Sequence, residues 1–434
     1  MGPIKTHSSS QIVSQDSLHT AFAQFLDSKR VAFTTRYKFT DPKLVSVPPL
    51  PQLRQRNMPI GDADSFVLFQ ISGISITLRD AGDRTILSDF QNVESVQPIR
   101  YVDIRSPRPR SDAFRQRESA LVSASTPSTV PKLDPARFAP HVLTGIDKVH
   151  TSGNYGEGNV IGVIDTGVDF THHALNGGRP DGTPCFGHGC PIVGGVSFFD
   201  KNGNHGLIDD PFPYDCLPGM DNRQHGTHVA GLLIANDTER GLLGGAPRAQ
   251  LRMYRVISCA PDDSDRVFED TAISAFQQAF FDKVDVISIS LGAVSGWQSD
   301  LLTMVAARVI ELGIPVITAA GNSGSTAGLF HAEAPAQAYG NHASASIDNP
   351  DLLGFTAVAT SSIDKHSIVY LSANPIVVAA GSLPVFVYTG TGLELEDACR
   401  PLTSNTPSLA GYAVVVAAGV REHRLFERVY KLLC

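Results

Sequence analysis

Residues 159–167 have the sequence Asn-Val-Ile-Gly-Val-Ile-Asp-Thr-Gly, an apolar run that ends in an acidic turn. The run is rich in Val and Ile and does not alternate with polar residues, which is typical of a strand buried on both faces in a parallel sheet. Comparable runs follow at 284–292 (VDVISISLG) and 314–322 (IPVITAAGN), with helical patterns between them. This alternation predicts an α/β domain with a parallel sheet and right-handed crossovers.

Three helices are predicted around those strands, at 225–236, 270–283 and 301–312. Each has apolar residues three or four positions apart, which indicates one inward face. In order, the predicted inward residues are Val229, Leu232 and Leu233; Ala272, Ile273, Phe276, Ala279 and Phe280; and Leu302, Val305, Ala306, Val309 and Ile310. Asp270 and either Ser299 or Asp300 are the predicted caps.

Polar side chains suited to acyl transfer occur at the ends of these elements. Asp165 follows one strand, Asn322 follows another, and His225 opens a helix. Because reactive groups of open α/β sheets gather at the carboxyl ends of the strands, we expect these three residues to lie close together. A buried Asp can orient an imidazole, His can move a proton near neutral pH, and an Asn amide can donate to a developing oxyanion.

Two other kinds of site are compatible with parts of this pattern. Asp-Thr-Gly also marks aspartic proteases, but those enzymes need a second such Asp to share a proton, and the sequence has none. His225 and His228 are three residues apart and could pair on a metal, but the chain has no His-Glu-x-x-His motif. We therefore interpret His228 as a packed helix residue.

Four motifs resemble those of the subtilases, and they occur in that family's order. Residues 163–167, 225–231 and 319–322 are similar to the family's Asp, His and oxyanion-Asn motifs, and 288–292 is similar to its substrate-binding edge. The resemblance extends over 140–370. It implies a subtilisin-like α/β fold and a serine endopeptidase that hydrolyses polypeptide substrates.

The resemblance also assigns roles to individual residues. Asp165 would hold His225, His225 would take a proton from the attacking serine, and Asn322 would stabilise the tetrahedral oxyanion. Peptides would bind as an added strand against the stretch before Asn322 and against a second edge, formed by Ser290, Leu291 and Gly292.

The family's serine lies in a Gly-Thr-Ser motif, and this tripeptide does not occur in the 434 residues. Gly182-Thr183 precedes Pro184, and Gly390-Thr391 precedes Gly392. In the family's order the serine follows an inserted domain, so the sequence predicts that this chain stops inside that insert and is inactive by itself. The alternative is a non-catalytic, subtilase-like protein that binds peptides or acts as a decoy.

The chain is predicted to have four parts. The first is a small α+β unit with a helix at 14–28, a strand at 71–78, a short helix over 83–91 and a final strand over 92–104. This unit is similar to the family's inhibitory propeptide. It would act as an intramolecular inhibitor of a zymogen. The last is β-rich and resembles the start of a protease-associated domain. The predicted ranges are 14–105 for the propeptide, 106–135 for a Pro-, Ser- and Arg-rich linker, 136–372 for an incomplete catalytic domain, and 373–434 for the partial insert.

Composition and cysteine spacing bear on partners, location and disulfides. A net charge of −8 favours neither a nucleic-acid nor an anionic-membrane partner, and no apolar run is long enough to span a bilayer. The N-terminus has no apolar signal-peptide core, so secretion is inferred from the family alone. Cys185 and Cys190 could form a disulfide or remain free thiols. No cofactor is required, although Asp169 and the acidic residues of 200–210 could either bind a structural calcium ion or be solvated.

Overall fold

The computed structural model describes a little over half of the chain. The described residues are 15–39, 73–103, 139–177, 179, 183–199, 205–215, 224–237, 241–258, 266–347, 355–370, 384–387 and 413–415, except for 92, 94–95, 97, 211, 294, 296, 324–327, 329–330 and 362–363. They fall into two compact units, with residues up to Ile347 in the first and residues from Phe355 onward in the second. The predicted linker at 106–135 lies outside the described residues.

Seven helices are described. They are α1 (Gln15–Ser28), α2 (Arg84–Leu87, after a 3₁₀ turn at Ala81–Asp83), α3 (Ala139–Thr144), α4 (Ile146–Thr151), α5 (His225–Ile234), α6 (Glu269–Phe281) and α7 (Leu301–Glu311). A membrane-spanning helix needs about 20 apolar residues. None of the helices in the described part of the chain is long and apolar enough to cross a bilayer.

A seven-stranded sheet forms the centre of the first unit. Its strands are β4 (Val160–Asp165), β5 (Ile192–Phe199), β6 (His205–Asp210), β9 (Gln250–Arg255), β11 (Val286–Ile289), β12 (Val316–Ala319) and β13 (His342–Ser344). Their order is β13-β12-β11-β4-β9-β5-β6, and every neighbouring pair is parallel except β5 and β6. The predicted α/β fold with a parallel sheet is confirmed.

Both faces of the sheet are covered by helices. Ile161 and Val163 of β4 pack in one core with Ala230 and Ile234 of α5. Ile164, on the opposite face of the same strand, belongs to a second core built with residues of α6 and α7. Each large apolar side chain that is fully buried in this way contributes about 1.5–3 kcal/mol, which is why the strand is apolar along its whole length.

Two details of the predicted helices are wrong. In α5 the predicted inward residues Val229 and Leu233 are partly buried and pack against the core, but Leu232 is 54% exposed, and the fully buried residues are Gly226, Ala230 and Ile234. The first turn of the helix lies so close to residues 165–167 that only glycine fits at position 226. In α6, Asp270 lies inside the helix, buried, and does not cap it. Of the two candidate caps of α7, Ser299 and Asp300, the structure has Asp300, whose side chain accepts from the Leu302 N–H.

The N-terminal α+β unit packs on the same sheet domain. It contains α1, α2 and the strands β1 (Phe33–Phe39), β2 (Gly73–Leu78) and β3 (Tyr101–Asp103). β1 pairs antiparallel with β2, with a register shift between Thr35 and Tyr37, and was not predicted from the sequence. The final strand is much shorter than predicted. It pairs antiparallel with β10 (Arg266–Phe268), the short strand that leads into α6.

The remaining strands of the described chain are short. In the first unit, β7 (Asn236–Asp237) pairs with β8 (Leu242–Leu243). In the second unit, β14 (Phe355–Thr360) and β15 (Lys365–Tyr370) form an antiparallel pair, and β16 (Val385–Val387) runs parallel to β17 (Ala413–Val415). The second unit is thus β-rich, as predicted, but its described residues begin before the predicted boundary at 372. Its identity as a protease-associated insert stays a prediction.

A disulfide joins Cys185 and Cys190. Both cysteines are buried, and the loop between them is tied to β5 by the bond from the Gly187 N–H to the Ile192 carbonyl. The sequence left a disulfide and two free thiols as alternatives, and the structure has the disulfide.

Candidate active site

Asp165 is the last residue of β4, and its side chain is fully buried. The strand lies between β11 and β9, so the carboxylate sits near the middle of the carboxyl edge of the sheet. Its Oδ1 atom accepts the Thr166 N–H at 2.7 Å. Burial of a carboxylate requires such donors, and this bond fixes the orientation of the group.

Two glycines bring the first turn of α5 against this acidic turn. A Cβ atom on Gly226 would lie 2.2 Å from the Gly167 carbonyl oxygen, so only glycine permits the close approach. Gly167 has φ +122°, and a Cβ there would lie 2.6 Å from the Tyr214 carbonyl oxygen. The Gly226 N–H also donates to Thr166 Oγ1 at 2.8 Å. The helix therefore begins directly beside Asp165.

His225 is the first residue of α5 and bonds to Asp165. The distance from His225 Nδ1 to Asp165 Oδ1 is 2.8 Å. The histidine side chain is 44% exposed, while its partner carboxylate is completely buried. The hydrogen bond to Asp165 raises the pKa of His225, and the nearby charge of Asp215 raises it further. Partial burial of the imidazole lowers the pKa, but the net shift is upward. With Nδ1 bonded to the carboxylate, Nε2 remains for proton transfer with a nucleophile.

The other predicted residues lie at the same edge of the sheet. Asn322 is exposed and follows β12. Ser290, Leu291 and Gly292 follow β11, which lies between β12 and β4. Leu291 is buried, so its main chain rather than its side chain can face a ligand. The structure thus joins Asp165 directly to His225 and places Asn322 and 290–292 on neighbouring strand ends, with no hydrogen bond between Asn322 and the pair among the described residues.

Comparison with known proteins identifies the family to which this arrangement belongs. A profile described as the subtilase family matches residues 156–419, more than half of the chain. The chain belongs to the subtilase family. The parallel sheet and the Asp–His pair at its carboxyl edge agree with that membership.

Individual subtilases match over parts of their length. Subtilisin E of Bacillus subtilis (strain 168) is 27% identical over 287 residues, which cover 64% of this chain and 62% of that protein. The major intracellular serine protease of the same organism is 32% identical over 172 residues, covering 40% of this chain and 45% of that protein. The chain therefore spans less than two thirds of either relative. Among solved structures, fervidolysin from Fervidobacterium pennivorans, described as a keratinolytic enzyme related to subtilisin, matches with 23% identity and a TM-score of 0.33, over 44% of this chain and 26% of that one.

Asp215 is a residue of this subtilase site that the sequence did not indicate. Its Oδ2 atom accepts both the N–H and the hydroxyl of Thr227, at 3.1 and 2.6 Å, in the first turn of α5. A carboxylate at this position complements the positive end of the helix and contributes to the raised pKa of His225. Asp215 lies ten residues before the helix, in an irregular loop, and no local pattern predicts its contact.

His228 does not behave as predicted. The structure leaves this residue exposed, so the interpretation as a packed helix residue is wrong. The inward face of α5 is formed by positions 226, 230 and 234, and position 228 lies away from it. His228 shares no hydrogen bond with Asp165, and a metal pair with His225 finds no support.

The described residues contain no group of three or more His, Cys, Asp or Glu side chains placed to hold a metal ion. Asp169 accepts bonds from the N–H and hydroxyl of Thr171. Asp200 lies outside the described residues. A structural calcium ion stays a prediction from the sequence.

Replacing Asp165 by asparagine is expected to lower the pKa of His225, because the variant removes the charged acceptor that raises it. NMR titration of the His225 ring in the 434-residue chain measures this directly. Since the folded pKa is raised, the contribution of His225 to stability is complete below its ordinary pKa of about 6.5 and is lost as pH rises through the folded value. The difference in unfolding free energy between wild type and variant should therefore narrow at higher pH.

Asp169→Asn is the matched control for this titration. It removes a carboxylate from the same turn, yet Asp169 is not among the groups that raise the pKa of His225. An unchanged His225 pKa in the Asp165→Asn variant, or an equal decrease in both variants, would contradict the assigned pair.

Proposed function

We propose that the protein is a subtilisin-like serine endopeptidase in which Asp165 and His225 activate a serine nucleophile. The observation that carries the proposal is the 2.8 Å contact between a fully buried carboxylate and a part-exposed imidazole, in a chain of the subtilase family. Asp165 orients His225 and stabilises its charged form. His225 takes the serine proton as the serine attacks the peptide carbonyl, and returns it to the leaving amine.

Asn322 supplies the electrophilic part of this mechanism. Its side-chain amide would donate to the oxyanion of the tetrahedral intermediate, which is the kind of contact worth about 3–4 kcal/mol in such enzymes. The polypeptide substrate would lie as an extended strand against the main chain of Ser290, Leu291 and Gly292. Both segments lie at the carboxyl edge of the sheet: 290–292 follows β11, the neighbour of β4, and Asn322 follows β12, one strand further away. This placement supports these roles.

We further propose that the N-terminal unit is an intramolecular inhibitor. The pairing of β3 with β10 supports this, since it adds a strand of the N-terminal unit beside the site. Arg100 Nη2 bonds to Glu269 at 3.1 Å and to Asp300 at 2.6 Å, at the beginnings of α6 and α7. Arg100 also lines a small cavity together with Leu291 and Gly292, so the N-terminal unit reaches the proposed substrate edge.

Secretion of the protease is also part of the proposal. The Cys185–Cys190 disulfide supports it, because disulfides persist in oxidising compartments and are rare in the cytosol.

A non-catalytic, peptide-binding protein is the second candidate. It rests on the strand end at 290–292, which can hold an extended peptide through its main chain whether or not a nucleophile is present. Under this alternative the same edge would hold an extended peptide without cleaving it.

An activity assay on two forms of the protein separates the candidates. We expect a form extended to include the family's Gly-Thr-Ser segment to hydrolyse a fluorogenic peptide and to react with a fluorophosphonate probe, and the 434-residue chain to do neither. An extended form that binds peptides but neither cleaves them nor reacts with the probe would support the peptide-binding alternative and overturn the endopeptidase.

A further inference from the structure

Glu333 is a buried carboxylate between the two loops of the proposed site, and neither the sequence patterns nor the triad scheme gives it a role. It is 8% exposed. Its Oε1 atom accepts the main-chain N–H of Asn322 at 3.1 Å and the hydroxyl of Ser323. A carboxylate is buried at low cost only where donors meet it, and both of these donors belong to the loop that carries the proposed oxyanion amide.

The main chain around Glu333 ties the same two loops together. The Glu333 N–H donates to the Ala320 carbonyl at 2.9 Å, just before Asn322. Ala334 exchanges two hydrogen bonds of 2.9 Å with Ala293, just after Gly292. Residues 333–334 therefore link the loop after β12 to the loop after β11.

Both loops have a glycine where they meet the Glu333 side chain. A Cβ on Gly321, which has φ +106°, would lie 2.5 Å from the Cγ and Cδ atoms of Glu333. A Cβ on Gly292 would lie 2.8 Å from Glu333 Oε2. Contacts this short exclude any other side chain at either glycine, so the loops are shaped around the glutamate.

We propose that Glu333 is a positioning residue that sets the place of the Asn322 side-chain amide by holding the Asn322 main chain. The inference rests on the proposed function. Because the Asn322 N–H is already bonded to Glu333, the donor that this residue can offer to an oxyanion is its side-chain amide. A negative charge so close to a developing oxyanion would oppose it, so the glutamate acts through geometry and not through its charge.

Two variants of Glu333 separate the effect of its position from the effect of its charge. Glu333→Gln keeps an acceptor oxygen of the same reach and removes the charge, and we expect its kcat to stay close to that of the wild type. Glu333→Ala removes the acceptor, and we expect kcat to fall by about ten- to a hundredfold, the size of effect that a displacement of about 1 Å has on a catalytic group. KM should change little, because the peptide edge at 290–292 remains.

A double-mutant cycle with Asn322→Ala tests the proposal in the serine-containing form. If Glu333 acts through the Asn322 amide, Glu333→Ala has no further effect on kcat once that amide is absent. Equal losses in both backgrounds, or a wild-type kcat in Glu333→Ala, would overturn the positioning role. If Asn322→Ala itself leaves kcat unchanged, the oxyanion assignment under the proposed function fails instead. Glu157→Ala, an exposed glutamate on the Asn154–Asn159 loop, is the matched control and should keep the wild-type kcat.

Hydrogen exchange of the Asn322 amide tests the proposal without an activity assay and does not require the Glu333→Ala variant to fold. In the 434-residue chain, the Asn322 amide proton should exchange more slowly with solvent than in Glu333→Asp, whose carboxylate is one methylene shorter and withdraws the acceptor. Equal exchange rates in the two proteins would overturn the proposal even if Glu333→Ala does not fold.

Discussion

Replacing His225 by alanine is expected to reduce kcat for peptide hydrolysis by about a million-fold in the serine-containing form, which is the size of loss that removal of this kind of histidine causes in subtilisin. The variant has no group bonded to Asp165 that can take the serine proton, and the buried carboxylate is left facing an empty space. The substrate should still bind to the strand edge at 290–292, so KM should change far less than kcat. Steady-state hydrolysis of a fluorogenic peptide measures both parameters.

His228→Ala is the matched control for this experiment. It removes an imidazole from the same turn of α5, but the His228 side chain is exposed, and the imidazole bonded to Asp165 is that of His225. Its kcat should stay within a few-fold of the wild type, since a surface residue outside the pair contributes little. Normal turnover by the His225→Ala variant would refute the triad assignment, and equal losses in both variants would indicate damage to the helix rather than loss of a base.

The central sheet was predictable because its signals are local. The strands around Asp165 and Asn322 are continuous apolar runs, and a strand buried on both faces has no other pattern available. The Asp300 cap was predictable for the same reason. The side chain accepts from the N–H only two residues later, so the cap and the start of the helix are adjacent in the sequence. The Asp165–His225 pair follows from two such local motifs and from the rule that parallel strands end at one edge.

The parts that could not be predicted depend on contacts between distant segments. Asp215 reaches Thr227 across an irregular loop, and Glu333 meets Asn322 only because residues 333–334 return to the sheet edge. Asp270 has the position of a cap in the sequence, but its partner is Arg36, which is 234 residues away. Such pairs have no signature in a single chain, because each member is an ordinary polar residue until the fold brings them together.

The N-terminal unit is expected to bind the rest of the first unit about a hundredfold more weakly when Arg36 is replaced by alanine. Arg36 Nε donates to Asp270 Oδ2 at 2.7 Å, and the two side chains are only 19% and 4% exposed. Breaking a buried pair by removing one partner costs about 3–5 kcal/mol, and the part-exposed arginine places this pair at the lower end. The Ser75 hydroxyl still donates to Asp270, at 2.7 Å, but it carries no compensating charge. The measurement is the dissociation constant of the N-terminal fragment after cleavage at a protease site inserted into 106–135.

Lys38→Ala separates this specific pair from a general loss of positive charge. Lys38 lies two residues further along β1 and is exposed, and its side chain makes no hydrogen bond or ion pair with any described residue, so its removal should leave the dissociation constant nearly unchanged. Asp270→Asn provides a second check, because Arg36→Ala should weaken binding much less in that background if the two charges act on each other. Equal dissociation constants for the Arg36→Ala and Lys38→Ala proteins would mean that the ion pair does not hold the N-terminal unit in place. Inhibition of the protease by the N-terminal unit would then depend on other contacts, namely the antiparallel pairing of β3 with β10 and the apolar contacts of Tyr37 and Phe39.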